Sequence, residues 1–171
     1  MPPLELFDRC GRRIRGASFI IPLGQTVSFR MADTESKQRL LIVEDDPHIR
    51  LLLRHLLNTE YDLELAESSA EALAQAQAQP FDLFLIDINL GEDRTGLDVL
   101  DTLRRMPAYA TTPMVACTAY ALHGDHERFL AHGFDAYVDK PFVPAVLRDT
   151  IREVLSEDVL LVRPQRLLGA G

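Results

Sequence analysis

From residue 39 onward, short apolar runs alternate with stretches of helical period. Residues 40–43 are continuously apolar, as in a strand buried on both faces. Asp46 followed by Pro47 reads as an N-cap and a first helical turn. Ile49, Leu52, Leu53 and Leu56 then repeat at i, i+3, i+4 and i+7, which defines one inward helical face. Residues 61–65 alternate and predict a strand near the sheet edge. Ser68 and Glu71 form a capping-box pattern before an alanine-rich helix that runs to Gln79 and ends at Pro80. Residues 81–86 are the most apolar strand, with Asp82 their one polar member, and are expected at the centre.

A polar loop follows at 91–95, and then a third helix at 96–105 with Leu97, Leu100 and Leu103 on one side. Pro113 opens a strand at 114–117. Residues 124–132 predict a fourth helix closed by Gly133, residues 134–138 a fifth strand, and residues 144–155 a fifth helix. Leu147, Ile151, Val154 and Leu155 form its inward face. Strict alternation of five strands with five helices implies an α/β fold, a five-stranded parallel sheet with helices on both faces.

Residues 1–38 carry no sustained period and are expected to be a disordered extension, with 39–155 the domain and 156–171 a tail. Residues 1–30 are basic, with Arg9, Arg12, Arg13, Arg15 and Arg30 against Glu5 and Asp8, whereas the chain as a whole has a net charge of -8. The break in charge and pattern at Met31 suggests that position as the native start. An acidic chain repels nucleic acid, so direct DNA binding is not expected. Cys10 and Cys117 are too few and too isolated for a disulfide framework or a metal site, which points to a reducing cytoplasm. No apolar run approaches the roughly 20 residues that span a bilayer.

In sheets of this kind ligands bind beyond the carboxyl ends of the strands. Those positions hold Glu44, Asp45 and Asp46, then Asp87 and Asn89, then Thr118 and Ala119, then Lys140 and Pro141. Taken singly, the acidic run is a solvated helix start, Thr118 satisfies backbone groups and Lys140 is a surface lysine. Together they gather carboxylates, a hydroxyl and an ammonium at one edge. Crowded carboxylates repel, and a divalent cation relieves them. The donors are all oxygens, which favours Mg²⁺. A carboxylate beside Mg²⁺ can act as a nucleophile toward phosphorus, and a lysine and a hydroxyl can stabilise the transferring group.

The segments LIVEDDP, FDLFLIDINL, VACTAY and YVDKPF resemble the four signature regions of the response-regulator receiver family, in order and each at a strand end, across residues 39–155. The resemblance implies a flavodoxin-like (βα)5 fold with strand order 2-1-3-4-5. It implies that Asp87 is the phosphoacceptor. Glu44 and Asp45 match the acidic pair, which would hold Mg²⁺ with Asp87 and the Asn89 backbone carbonyl, Asp45 being the favoured direct ligand of the two. Thr118 matches the hydroxyl that moves to the phosphoryl group, Lys140 the lysine that pairs with it, and Pro141 a position often cis in the family. Tyr137 matches the aromatic switch residue. The loop LGEDRTG after Asp87 departs from the common proline-containing turn, and Tyr120 is a bulky residue where phosphoryl lifetime is set.

The implied function is that of a single-domain, chemotaxis-regulator-like member of a two-component phosphorelay. It would take a phosphoryl group from a sensor histidine kinase or a histidine phosphotransfer protein and catalyse only its own phosphorylation and dephosphorylation. Output would pass through the face of the fourth helix, fifth strand and fifth helix to a protein target, because no output module follows residue 155; residues 159–162 are an apolar patch in the tail. The rivals are a phosphorylation-independent binding module, an aspartyl-nucleophile phosphatase and a flavin mononucleotide binder. Asn89 stands where the phosphatase needs a second aspartate, and the acidic loops disfavour a metal-free phosphate. His48 and His55 read as helix surface, and His123 and His126, spaced HxxH, as solvent-facing; Cys117 reads as core.

Overall fold

The computed structural model describes residues 37–91, 95–119 and 125–156, with the backbone of two short strands, β1 (Phe19–Ile20) and β2 (Thr26–Val27). The expectations for Met31, Glu92, Asp93, Arg94, Tyr120, His123 and residues 159–162, and for the side chains of Cys10 and His126, lie outside the described residues. β1 and β2 pair antiparallel, where the sequence predicted no element. Two-residue strands are too short to leave a period.

The main body runs β3 (Arg39–Val43), α1 (Pro47–Leu57), β4 (Asp62–Ala66), α2 (Ser69–Ala78), β5 (Leu83–Asp87), α3 (Gly96–Arg105), β6 (Met114–Thr118), α4 (Asp125–His132), β7 (Ala136–Asp139) and α5 (Pro144–Leu155). The five strands β3 to β7 are parallel in the order β4-β3-β5-β6-β7. This is the 2-1-3-4-5 order of the flavodoxin-like fold, with β5 central and β4 at one edge. Every residue of β5 and β6 is buried, whereas β4 is half exposed.

Side chains alternate across the sheet and build two cores. Leu41, Val43, Phe84, Ile86, Met114 and Ala116 pack against α2, α3 and α4 through Ala72, Ala76, Leu100, Leu103 and Phe129. Leu40, Ile42, Leu83, Leu85, Val115 and Cys117 pack against α1 and α5 through Leu53, Leu57, Leu147 and Ile151. One inward assignment fails: Leu52 is 41% exposed, and Leu57 takes the buried place. The leucine-rich run 51–57 admits more than one helical phase, and packing against the sheet selects the Leu53–Leu57 stripe.

Strand boundaries shift by one or two residues for a local reason. Asp82 and Asp135 precede β5 and β7 instead of joining them. Asp82 Oδ2 accepts the Arg39 N–H at 2.8 Å, and Asp135 Oδ2 accepts the Met114 N–H at 2.8 Å, so each carboxylate caps the first residue of a neighbouring strand. At α2, Ser68 Oγ accepts the Glu71 N–H at 3.2 Å as expected, but the Glu71 carboxylate takes the Glu67 N–H at 2.8 Å, one residue upstream of a reciprocal box. At the opposite end of the sheet from the acidic residues, Arg104 fastens two loops. Its Nη1 donates to Thr112 O at 2.7 Å, and its Nη2 to Gly133 O at 3.0 Å and Asp135 Oδ2 at 2.9 Å.

Candidate functional site

The carboxyl ends of β3, β5, β6 and β7 converge on one edge. Glu44 continues the line of β3, its N–H bonding to Ala66 O at 3.0 Å, and is 1% exposed. Asp45 is exposed, and Asp46 caps α1 by accepting the His48 and Ile49 N–H groups. Those bonds hold the Asp46 carboxyl below its ordinary range. Asp87 closes β5 at 6% exposure and Thr118 closes β6 at 1%. Lys140 follows β7, and its N–H donates to Thr118 O at 2.8 Å, which extends the β6–β7 ladder by one residue. The Lys140–Pro141 peptide is cis.

From that position Lys140 Nζ reaches across the edge and donates to Glu44 Oε2 at 2.6 Å and to Asp87 Oδ2 at 2.8 Å. The other Asp87 oxygen, Oδ1, accepts the Asn89 N–H at 3.2 Å. Glu44, Asp45 and Asp87 each offer a carboxylate oxygen within 4.8 Å of the others, a spacing that one cation can bridge. Asn89 stands exposed at the rim. Tyr137, opposite Ala116 in the β6–β7 register and so on the same sheet face as Thr118, is partly buried against the core under α2 to α4. Ala119 is exposed beside Thr118, and His48 and His55 lie on the exposed side of α1.

The charges are under-compensated. Burial pushes the Glu44 carboxyl above its ordinary value, and the Asp87 charge pushes the same way, against the hydrogen bond and charge of Lys140. Burial alone would lower the Lys140 ammonium, but the hydrogen bonds and charges of Asp87 and Glu44 outweigh it and hold the lysine protonated above its ordinary range. One cation thus serves two buried carboxylates with a third close by. A hard divalent ion meeting only oxygen donors fits this cluster. Burial drives the Cys117 thiol far above its ordinary value, which leaves it a packing residue beside the site.

The sequence reading missed two glycines. A Cβ on Gly96 would stand 2.1 Å from the Asp87 carbonyl oxygen, and a Cβ on Gly91 would stand 2.8 Å from Asp45 Oδ2. The only signal for either is a glycine bounding the strand-to-helix loop.

A doubly wound parallel sheet with acidic groups and a lysine at its carboxyl edge defines a class of α/β signalling domains. Residues 40–152 match the model of the response regulator receiver domain, and the chain belongs to that family. It is 34% identical over 119 residues to the polar-differentiation response regulator DivK of Brucella ovis, covering 69% of this chain and 96% of that protein. It is 33% identical over 110 residues to the signal transduction histidine-protein kinase BarA of Escherichia coli K12, covering 63% of this chain but only 12% of BarA. Among solved structures, the receiver domain of the sensor histidine kinase PA1611 of Pseudomonas aeruginosa PAO1, with a magnesium ion coordinated in its active-site cleft, is 29% identical with a TM-score of 0.64, covering 70% of this chain and 98% of that one. The protein therefore carries a receiver domain of the two-component signalling type. Among the described residues no helix is long and apolar enough to cross a membrane.

Proposed function

We propose that Asp87 accepts a phosphoryl group from a phosphohistidine on a sensor histidine kinase or a histidine phosphotransfer protein. The observation that carries this is the Lys140 ammonium held between Asp87 and Glu44 with Asp45 alongside. An Asp87 carboxylate oxygen attacks phosphorus, the P–N bond breaks, and its electron pair stays on the imidazole nitrogen while the new O–P bond forms. Lys140 and the Thr118 hydroxyl receive phosphoryl oxygens. Mg²⁺ would sit among Glu44, Asp45, Asp87 and the Asn89 carbonyl, neutralising charge on the phosphoryl oxygens. The magnesium of the PA1611 receiver supports this choice of ion.

On this reading Thr118 and Tyr137, which share a sheet face, pass the change to the surface of α4, β7 and α5, where a protein target binds. The match to nearly the full length of the response regulator DivK supports action as a stand-alone regulator, and a cytoplasmic location belongs to the same reading. The net charge of -8 disfavours direct DNA binding. No external substrate is turned over; the protein acts only on its own phosphoryl group.

The test is intact-protein mass after incubation with acetyl phosphate and Mg²⁺. The wild type is expected to gain one phosphoryl group, and both Asp87→Ala and addition of a chelator to abolish the gain. No gain in the wild type with any small donor or phosphohistidine protein would leave a phosphorylation-independent binding module instead.

A further inference from the structure

We propose that Gly91 is a positioning residue for the Asp45 carboxylate and thereby sets the affinity of the acidic cluster for a divalent cation. The inference rests on the proposed reading that the cluster binds Mg²⁺.

Gly91 lies at φ 63°, and the atoms nearest to a Cβ built on it both belong to Asp45: Oδ2 at 2.8 Å and Cγ at 3.9 Å. That carboxylate occupies the space a side chain at this position would take. Withdrawing the loop is opposed by the packing and hydrogen bonds of the described residues that flank it. Ile88 N–H bonds to Cys117 O at 3.0 Å, Gly96 N–H bonds to Ile88 O at 3.0 Å, and Leu90, the immediate neighbour, is 2% exposed. Asp45 must give way instead. It is an exposed side chain, so the fold tolerates the change. The cluster does not, because the carboxylate that moves is one of three that each offer an oxygen within 4.8 Å of the others.

Gly96 supplies the contrast. Its Cβ would meet the backbone oxygen of Asp87, which cannot turn aside, so a substitution there deforms the junction of β5 and α3. The two glycines thus separate by consequence. Gly96 keeps the phosphoacceptor strand in place, and Gly91 keeps one ligand in place.

The experiment compares wild type, Gly91→Ala and Gly91→Asn, each titrated with Mg²⁺ alone and followed by backbone amide NMR, with urea unfolding in parallel. Asparagine tolerates the left-handed backbone that alanine resists, yet both add a Cβ. Stability should therefore fall more in Gly91→Ala than in Gly91→Asn. Mg²⁺ affinity should fall in both, on the order of tenfold, the size seen when support of a metal ligand is removed. In the metal-free variants the Asp45 carboxyl carbon signal should move. Wild-type affinity in Gly91→Asn alone would assign Gly91 a purely backbone role and overturn the proposal, as would wild-type affinity in both variants. If the wild type itself shows no Mg²⁺-dependent shifts, the metal reading fails first and this inference fails with it.

Discussion

Replacing Lys140 by methionine keeps an unbranched side chain of similar length but removes the cation between two buried carboxylates. The size of the loss follows from what is left behind. Glu44 and Asp87 are 1% and 6% exposed, and their oxygens belong to a group spaced within 4.8 Å. Two unit charges at that separation repel by about 3 kcal/mol at an effective dielectric constant of about 20. Breaking a buried pair from one side typically costs about 3–5 kcal/mol. The variant has one escape, which is to protonate a carboxyl. Glu44 is the group to do so, because burial and Asp87 already push it above its ordinary value of 4.5. Protonating a group of that ordinary value at pH 7 costs about 3 kcal/mol, at about 1.4 kcal/mol per pH unit, and this caps the electrostatic loss.

The sign is then determined. The native variant binds one more proton than its unfolded chain above the ordinary Glu44 value, so its stability falls as pH rises through that window. Urea unfolding in EDTA at pH 5, 6 and 7 should show wild type ahead of Lys140→Met by about 3 kcal/mol at neutral pH, the gap closing by about 1.4 kcal/mol per unit toward pH 5. Any part of the Glu44 rise already present in the wild type narrows the gap without changing its direction. A gap equal at pH 5 and pH 7 refutes the reasoning, since the loss would then belong to packing and not to charge.

Two further outcomes test the frame that carries the site. Arg104→Met strips donors from Thr112 O, Gly133 O and Asp135 at once, and should lower unfolding stability by about 2–4 kcal/mol with an unchanged denaturant slope; a loss within error of zero would show these bonds to be replaceable by water. Cys117, 1% exposed and with its thiol driven upward by burial, should resist thiol reagents in native buffer and react only once the protein is unfolded in urea; prompt reaction of the native protein would contradict the packing described for β6.

The site was more legible in the sequence than the frame around it, for a physical reason. Asp87 ends an apolar strand, and a carboxylate in that setting is costly unless it has a partner. Glu44 and Thr118 likewise follow apolar runs, Lys140 follows the fifth strand of the sheet, and a parallel sheet with helical crossovers brings all such ends to one edge. The sequence therefore placed Lys140 near Asp87 and Glu44, although they stand 53 and 96 residues away along the chain. The Arg104 clasp left no comparable trace, because most of its acceptors are backbone carbonyls and any residue supplies one. Leu52 was misplaced because period alone cannot choose between phases in a leucine-rich helix. Gly91 and Gly96 look like ordinary loop glycines until the atoms a side chain would strike are known.

These features combine at the edge through charge. Three carboxylates face one ammonium, so about two negative charges stay uncompensated when all are ionised. That is the charge of one divalent cation, and a proton on Glu44 supplies only half of it. Converting the Asp87 carboxylate to an acyl phosphate adds about one further negative charge. The modified edge then needs its cations more than the unmodified one does. On the proposed reading, metal binding and phosphorylation are therefore favourably coupled, and lowering the pH opposes the first by protonating Glu44. Lys140 lies at the centre of this coupling. Among the described residues, two of its three ammonium donors are engaged, one by each buried carboxylate. On the same proposed reading it keeps Glu44 while exchanging the Asp87 carboxylate for a phosphoryl oxygen, so the residue that stabilises the resting edge would also register the change in it.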